Sequence, residues 1–309
     1  LEKKVGNISW NGDARMRYIA SSSDKVADKY DGRIRLNVKG QVNDATYVQG
    51  QFVNNMNFKD EASSNTTMAQ IYVNHNFGKN VAVRLGRQPI AFGNQGGWLY
   101  NGLEGYDGAQ VSYNNGKLSL TTGFGQLNAS DMAEVTKEDM YFAKGAYDFG
   151  FAKLNADYIA DKDGKAQYRD EIFGVGLNIP VQKFNVFGEY WKNTTALDDH
   201  DTAWNAGLSY GKADWKKAGT WDLSVAYNDV DYGVYFGGGT WHNDMLKNFS
   251  FSDGKYLAAT NLTFWTAIAN VTLQKNVQLH AEYAFAADAE GTFGVDPDDS
   301  WTVSLNYKF

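Results

Sequence analysis

Residues 301–309 read WTVSLNYKF, and the pattern in them decides the fold. Trp301, Val303, Leu305, Tyr307 and Phe309 share one parity; Thr302, Ser304, Asn306 and Lys308 share the other. Successive side chains of a strand point to opposite faces, so this is a strand with one apolar and one polar face. The start of the chain has the same pattern. Ile8, Trp10, Gly12, Ala14, Met16 and Tyr18 alternate with Ser9, Asn11, Asp13, Arg15 and Arg17. Ile34, Leu36, Val38, Gly40 and Val42 then interleave with Arg33, Arg35, Asn37, Lys39 and Gln41. After a tight Asn43-Asp44 turn, Val48, Gly50, Phe52 and Met56 oppose Gln49, Gln51 and Asn55.

The connections between such segments alternate in length. Short turns fall at Gly78 to Asn80, Asn114 to Gly116, Phe149 to Gly150, Pro180 to Lys183 and Gln274 to Asn276, with a longer one at Gly211 to Gly219. Between them lie long polar connections, such as Ser21 to Asp31, Gln126 to Glu138, Asp229 to Lys255 and Ala287 to Asp299. Counting the segments gives about sixteen strands of roughly ten residues, enough to cross a bilayer when tilted. Leu262 to Leu273 carries apolar residues on both parities, which leaves the facing of Phe264 and Trp265 open.

Composition agrees. The 309 residues include 15% aromatics, 32 glycines and three prolines, and all three (Pro89, Pro180, Pro297) fall at strand ends or in loops. Mean hydropathy is −0.49, and no run reaches the eighteen or so apolar residues of a spanning helix. A membrane barrel keeps a low average because only every second residue faces lipid. Without cysteine there is no disulfide scaffold or thiolate metal site, and a net charge of −7 argues against nucleic acid as a partner. The chain opens LEKKVGN. We expect a processed mature protein or the C-terminal part of something longer, with residues 1–6 ending a preceding segment or linker and residues 7–309 forming the barrel domain.

With its even strand count, its loop asymmetry and its terminal Phe309, the chain resembles the sixteen-stranded bacterial outer-membrane diffusion porin superfamily. It is also similar to the porin part of S-layer-homology-anchored outer-membrane proteins of diderm Firmicutes. The resemblance implies an all-β, transmembrane, antiparallel up-and-down barrel with short periplasmic turns, long extracellular loops and the third long loop folded into the pore. It implies a bacterial outer-membrane location, contact with lipid and lipopolysaccharide, and a homotrimer. A peptidoglycan tether would lie in a region absent from this chain. Phe309 would close the barrel, as the C-terminal Phe of such proteins does. The function implied is passive diffusion of small hydrophilic solutes and ions.

The third long connection is Gln88 to Asp107, QPIAFGNQGGWLYNGLEGYD. It is glycine-rich, can pack through Trp98, Leu99, Tyr100 and Leu103, and carries the acids Glu104 and Asp107. Its departure from the family is the missing Pro-Glu-Phe-Gly-Gly core, which Ala91-Phe92-Gly93 and Gly96-Gly97 match only in part. Opposite it we expect a basic wall of Arg15, Arg17, Arg33, Arg35, Lys39 and Arg84 from the polar faces of early strands. Facing Glu104 and Asp107, that wall would set a transverse field across the constriction.

Other chemistry is weakly signalled. Gly207 to Gly211 fits a nucleophile-elbow pattern around Ser209, but that motif needs a helix after the strand and none is patterned here. We expect no enzyme, no catalytic residue and no metal site. No cofactor is expected, although Asp161 to Gly164, Asp198 to Asp201 and Asp296 to Asp299 leave room for a loop-bound divalent cation such as calcium. Phe187 and Trp191 fall on the inner parity, so a sugar- or anion-specific channel with Trp98 and Tyr100 stacking on the solute is an alternative. A soluble β-rich carbohydrate-binding protein or hydrolase using Glu189 or Glu282 is another, and it leaves the loop rhythm unexplained.

Overall fold

The computed structural model describes residues 3–22, 28–59, 64–94, 97–127, 139–161, 171–196, 199–234, 260–291 and 296–309. Among them every regular element is a strand. The strands are β1 (Lys3–Val5), β2 (Ile8–Ser21), β3 (Lys29–Asn43), β4 (Thr46–Asn57), β5 (Ser64–Phe77), β6 (Val81–Phe92), β7 (Tyr100–Asn114), β8 (Leu118–Leu127) and β9 (Asp139–Asp148). They continue as β10 (Lys153–Asp161), β11 (Glu171–Val181), β12 (Phe184–Asn193), β13 (Thr202–Gly211), β14 (Trp221–Asp231), β15 (Asn261–Gln274), β16 (Val277–Glu290) and β17 (Ser300–Lys308).

From β2 onward each strand pairs antiparallel with the next, and β17 pairs back onto β2, from Ser300↔Ser21 to Lys308↔Asp13. Sixteen strands therefore close on themselves. The short β1 folds back onto β2, with Lys3 opposite Trp10, so part of the stretch expected to be a preceding segment joins the wall. At the seam Phe309 exchanges backbone hydrogen bonds with Gly12 of 2.8 and 3.0 Å. A Cβ on Gly12 would stand 2.5 Å from the Phe309 ring, so the terminal aromatic covers a glycine at the seam.

The alternation sorts as charge and lipid would require. Met16, Ile34, Phe52, Ile71, Leu85 and Val111 are exposed on the outside, while Arg15, Arg33, Gln51 and Gln110 share the inner parity. For Leu262 to Leu273 the register gives an answer: Trp265 is exposed outside and Phe264 is fully buried inside. A bulge at Ala286, with φ 53°, shifts the β15–β16 register there. Pro89 sits at a second irregularity, between Gln88 and Ile90, where proline's missing N–H removes no ladder bond.

The inner face is not uniformly polar. Leu127, Met140, Phe142, Ile159, Ile172, Trp191, Val230, Leu262 and Phe264 form one buried cluster with Ile90, Phe92, Trp98, Leu99, Tyr100 and Tyr106. The core of this protein thus lies inside the barrel, where the tip of the β6–β7 hairpin packs on the wall of β8 to β16.

Candidate pore constriction

The third long connection is shorter than its sequence suggests. β6 runs to Phe92 and β7 resumes at Tyr100, so the loop proper is 93–99 and most of Gln88 to Asp107 is a paired hairpin. The segment reads as irregular because its ladder is interrupted at Pro89 and carries glycines. Gly93 and Gly97, at φ 100° and 101°, occupy backbone space that a side chain would strain. Below the hairpin, Gly108 and Gly125 face each other so closely that a Cβ on either would lie within 2.6 to 2.7 Å of the other's Cα. This bare strip gives the hairpin room to turn into the lumen.

The tip is tethered to the far wall through buried polar groups. Gly93 N–H donates to Asp157 at 2.8 Å, and Asn94 N–H donates to both carboxylate oxygens of Glu189 at 3.1 and 3.0 Å. Glu189 also accepts from Trp191 Nε1 at 2.9 Å and Asn205 Nδ2 at 3.3 Å. The Asn94 amide donates to the carbonyls of Leu177 and Gly188 and accepts from Asn178 at 2.7 Å. Lys144 donates to the Ala91 carbonyl, and Trp98 Nε1 donates to Asn228 at 3.0 Å. Ala91, Gly93, Asn94 and Trp98 therefore reach β9 to β14, three to eight strands from β6 around the wall, and the farthest of these is reached only through the lumen. Around the tethers, Phe142 packs edge-on against Phe92 and Tyr106 at 5.9 and 5.1 Å. Trp191 lies over Gly174, its ladder neighbour, which has no side chain to displace it.

The basic residues divide into two groups. Arg15, Arg17, Arg33 and Arg35 form one ladder on β2 and β3, in which Arg15 stands directly opposite Arg33. Two acids of the same strands are interleaved. Asp31 accepts from Arg15 at 3.3 Å and from Arg17 Nε at 2.9 Å; Asp13 accepts from Arg35 at 2.9 Å and lies 3.7 Å from Arg33. Four guanidiniums thus meet two carboxylates. Lys39 and Arg84 lie nearer the short-turn end. Lys39 sits over the Tyr47 ring at 4.3 Å; Arg84 sits over Tyr72 at 5.1 Å and donates to Asn74 at 3.0 Å.

The acid pole differs from the one anticipated. Asp107 shares the outward parity of Val111 and forms a two-pronged ion pair with Arg87 at 2.7 and 2.8 Å, so it does not face the arginine ladder. The reason is register: Asp107 pairs directly with Arg87 across the hairpin base, both outside. The side chain of Glu104 lies outside the described residues. Trp98 and Tyr100 are buried against the wall, as is Trp191, so their rings are packing surfaces. The carboxylates that hold the hairpin, Asp157 and Glu189, come from the wall. Of the two, the sequence pattern points only to Glu189, and as a catalytic candidate.

Ser209 lies within β13 between Asn185 and Ser224, with no helix following. Among the described residues no three His, Asp or Glu side chains gather as a metal site. Asp296 and Asp299 accept from the Ala289 and Ala286 amides. Asp198 and 162–164 lie outside the described residues.

A closed barrel of sixteen strands with a hairpin turned into its lumen is the porin fold. A multiply substituted variant of Rhodopseudomonas blastica porin superposes with a TM-score of 0.65 at 13% identity, covering 98% of this chain and all of that one. A triple mutant of the same porin gives 0.65 at 14% identity, and a structure titled "Asymmetric conductivity of engineered proteins" gives 0.60 at 13%, both with the same coverage. No family model and no curated protein matches the sequence. The chain has the fold of these porins, and at this identity the likeness speaks for the fold.

Proposed function

We propose that this chain is a bacterial outer-membrane porin that lets small hydrophilic solutes and ions diffuse passively through a water-filled pore, without catalysis. The observation that carries this is the hairpin tip bonded to the wall inside a closed barrel. It narrows the lumen on one side and leaves the arginine ladder facing water on the other. A membrane setting is supported by the outer surface, where rings contact one another in rows near both ends. Tyr147, Phe149, Phe184, Tyr210 and Trp221 lie toward the short turns; Tyr18, Tyr30, Trp204, Tyr227 and Trp265 lie toward the long loops.

The narrow region is expected to favour anions modestly. Arg15, Arg17, Arg33 and Arg35 outnumber Asp13 and Asp31, while Asp157 and Glu189 are covered by the hairpin backbone. A homotrimer fits the outer wall of β4 to β7, which carries the Arg87–Asp107 ion pair and a Thr46–His75 contact of 2.8 Å among aliphatic side chains. Such polar pairs are better covered by protein than by lipid.

Planar-bilayer recording tests the reading. Purified protein should insert as discrete ohmic steps; protein that gives no steps and stays soluble without detergent would refute it.

A further inference from the structure

We propose that the short-turn end of the barrel is a recognition surface for phospholipids whose headgroups carry a net negative charge, held in the leaflet at that end. This rests on the reading of the chain as a membrane barrel. From β5 onward every short connection has a lysine in it or directly beside it: Lys79, Lys117, Lys153, Lys183, Lys212 and Lys275. All six are exposed. Such a connection recurs at every second strand, so the ammoniums follow one another about 10 Å apart, measured across the strands, along that stretch of rim. The β13–β14 connection adds Lys216 and Lys217, both exposed. Among the described residues of the short turns the acids are Asp44, Asp148 and Asp214, and the last two are bonded within their own turns. Asp148 accepts from the Gly150 N–H at 2.8 Å and lies 3.5 Å from Lys153; Asp214 accepts from the Lys216 N–H at 2.9 Å.

The opposite end has the opposite sign. Among the described residues there, Asp139, Asp161, Glu171, Asp201 and Asp229 stand against Lys29, Lys59 and Lys192. An anionic headgroup is therefore drawn to one end of the barrel and repelled from the other, and each lysine close to a negatively charged lipid surface strengthens binding about fivefold. What makes the partner a lipid is the apolar surface beside the lysines. Phe77 lies two residues before Lys79, Phe184 directly after Lys183, and Phe149 and Phe151 between Asp148 and Lys153; all four rings are exposed, Phe151 at 72%. Phe149 packs edge-on against Tyr147 at 4.6 Å, and Phe184 against Tyr210 at 4.9 Å. Rings at the end of a lipid-facing wall sit at headgroup level, and a lysine beside them lays its methylene stem on apolar surface while its ammonium reaches the phosphate. Acyl chain on the ring and phosphate on the ammonium are two contacts that one lipid makes at once. A zwitterionic headgroup brings its own cation and gains less. A cell-wall polymer offers carboxylates without an acyl chain and leaves the rings uncovered.

The test uses the full chain reconstituted in phosphatidylcholine bilayers with a trace of spin-labelled phosphatidylglycerol or, in parallel, spin-labelled phosphatidylcholine. The fraction of label immobilised at the protein gives the relative affinity. We expect phosphatidylglycerol to be held about three- to tenfold more tightly, the ratio falling toward one at high salt as the charges are screened. Lys79→Gln, Lys117→Gln, Lys183→Gln and Lys275→Gln combined should bring the ratio near one, while the same four positions changed to Arg should keep it. Each single Gln substitution should lower it in part, so the result does not depend on the combined variant assembling. Lys29→Gln with Lys59→Gln, at the long-loop end, should leave it unchanged. Equal retention of both lipids, a ratio that the short-turn variants keep, or an equal drop in the long-loop variant overturns the proposal. So does displacement of the labelled phosphatidylglycerol by soluble peptidoglycan fragments, which would make the surface a cell-wall site. A barrel that holds both lipids equally and gives ohmic steps overturns the lipid surface while the porin reading stands. One that selects phosphatidylglycerol through these lysines and never conducts supports the surface and refutes the diffusion reading.

Discussion

Two stretches of the same inner wall have opposite characters. Along β2 and β3 the lumen face is charged and part-exposed, its four arginine side chains 20 to 29% exposed, and Arg15 and Arg33 stand side by side although like charges opposite one another are destabilising. Along β9 to β14 the lumen face is covered by the hairpin tip, and every charge there is bonded to backbone or amide groups. The first stretch gains its favourable energy from water and from two interleaved acids; the second is a small protein core. Solute should feel the first and never touch the carboxylates of the second.

The largest effect should come from breaking the covered side. Glu189→Ala leaves the Asn94 N–H, the Trp191 indole and the Asn205 amide without their acceptor. It should cost about 3 to 5 kcal/mol of barrel stability, read as a lower temperature for the heat shift on electrophoresis, with larger and noisier single-channel steps. Gly93→Val forces a branched side chain into φ 100°, with Leu99 N 3.1 Å and Trp98 N 3.2 Å from the new Cβ. Strain of about 1 to 3 kcal/mol should lower the same transition and raise conductance. Phe309→Ala uncovers Gly12 at the seam and should lower the transition by roughly 1 to 2 kcal/mol of lost ring packing. On the open side, Arg15→Gln with Arg33→Gln should leave stability within about 0.5 kcal/mol, because the pair repels and is reachable by water. It should move the reversal potential in a salt gradient toward cations, and the sharpest result would be the two effects separating: selectivity from β2 and β3, stability from β12.

The open side was legible in the sequence because parity alone assigns it. Arg15, Arg17, Arg33 and Arg35 alternate with Met16, Ile34 and Leu36, and a period of two fixes which face each takes. The strand count and the loop rhythm follow from the same signal. The covered side was not legible, because its contacts join residues far apart in the chain, Asn94 with Glu189 or Trp98 with Asn228. A trace of it was present all the same. Met140, Phe142, Ile159, Ile172, Trp191 and Phe264 are apolar residues at inner parity toward the long-loop ends of their strands, where a bare pore would carry polar ones. Read together they are the footprint of the hairpin. The acid pole was misplaced for a local reason: Asp107 looked like a loop acid, whereas the paired hairpin base puts it beside Arg87 and outside.

The hairpin tip is fixed to the inner wall, and a cross-link tests this directly. The chain has no cysteine, so an engineered pair reports without background. A Cβ built on Gly176 lies 2.9 Å from Asn94 Cγ, which brings the two Cβ atoms within disulfide range. Asn94→Cys with Gly176→Cys should therefore oxidise to a bridge in intact cells or liposomes and still conduct as a pore. Two free thiols after oxidation, both open to a large hydrophilic maleimide added outside, would place the hairpin out of the lumen and contradict the account.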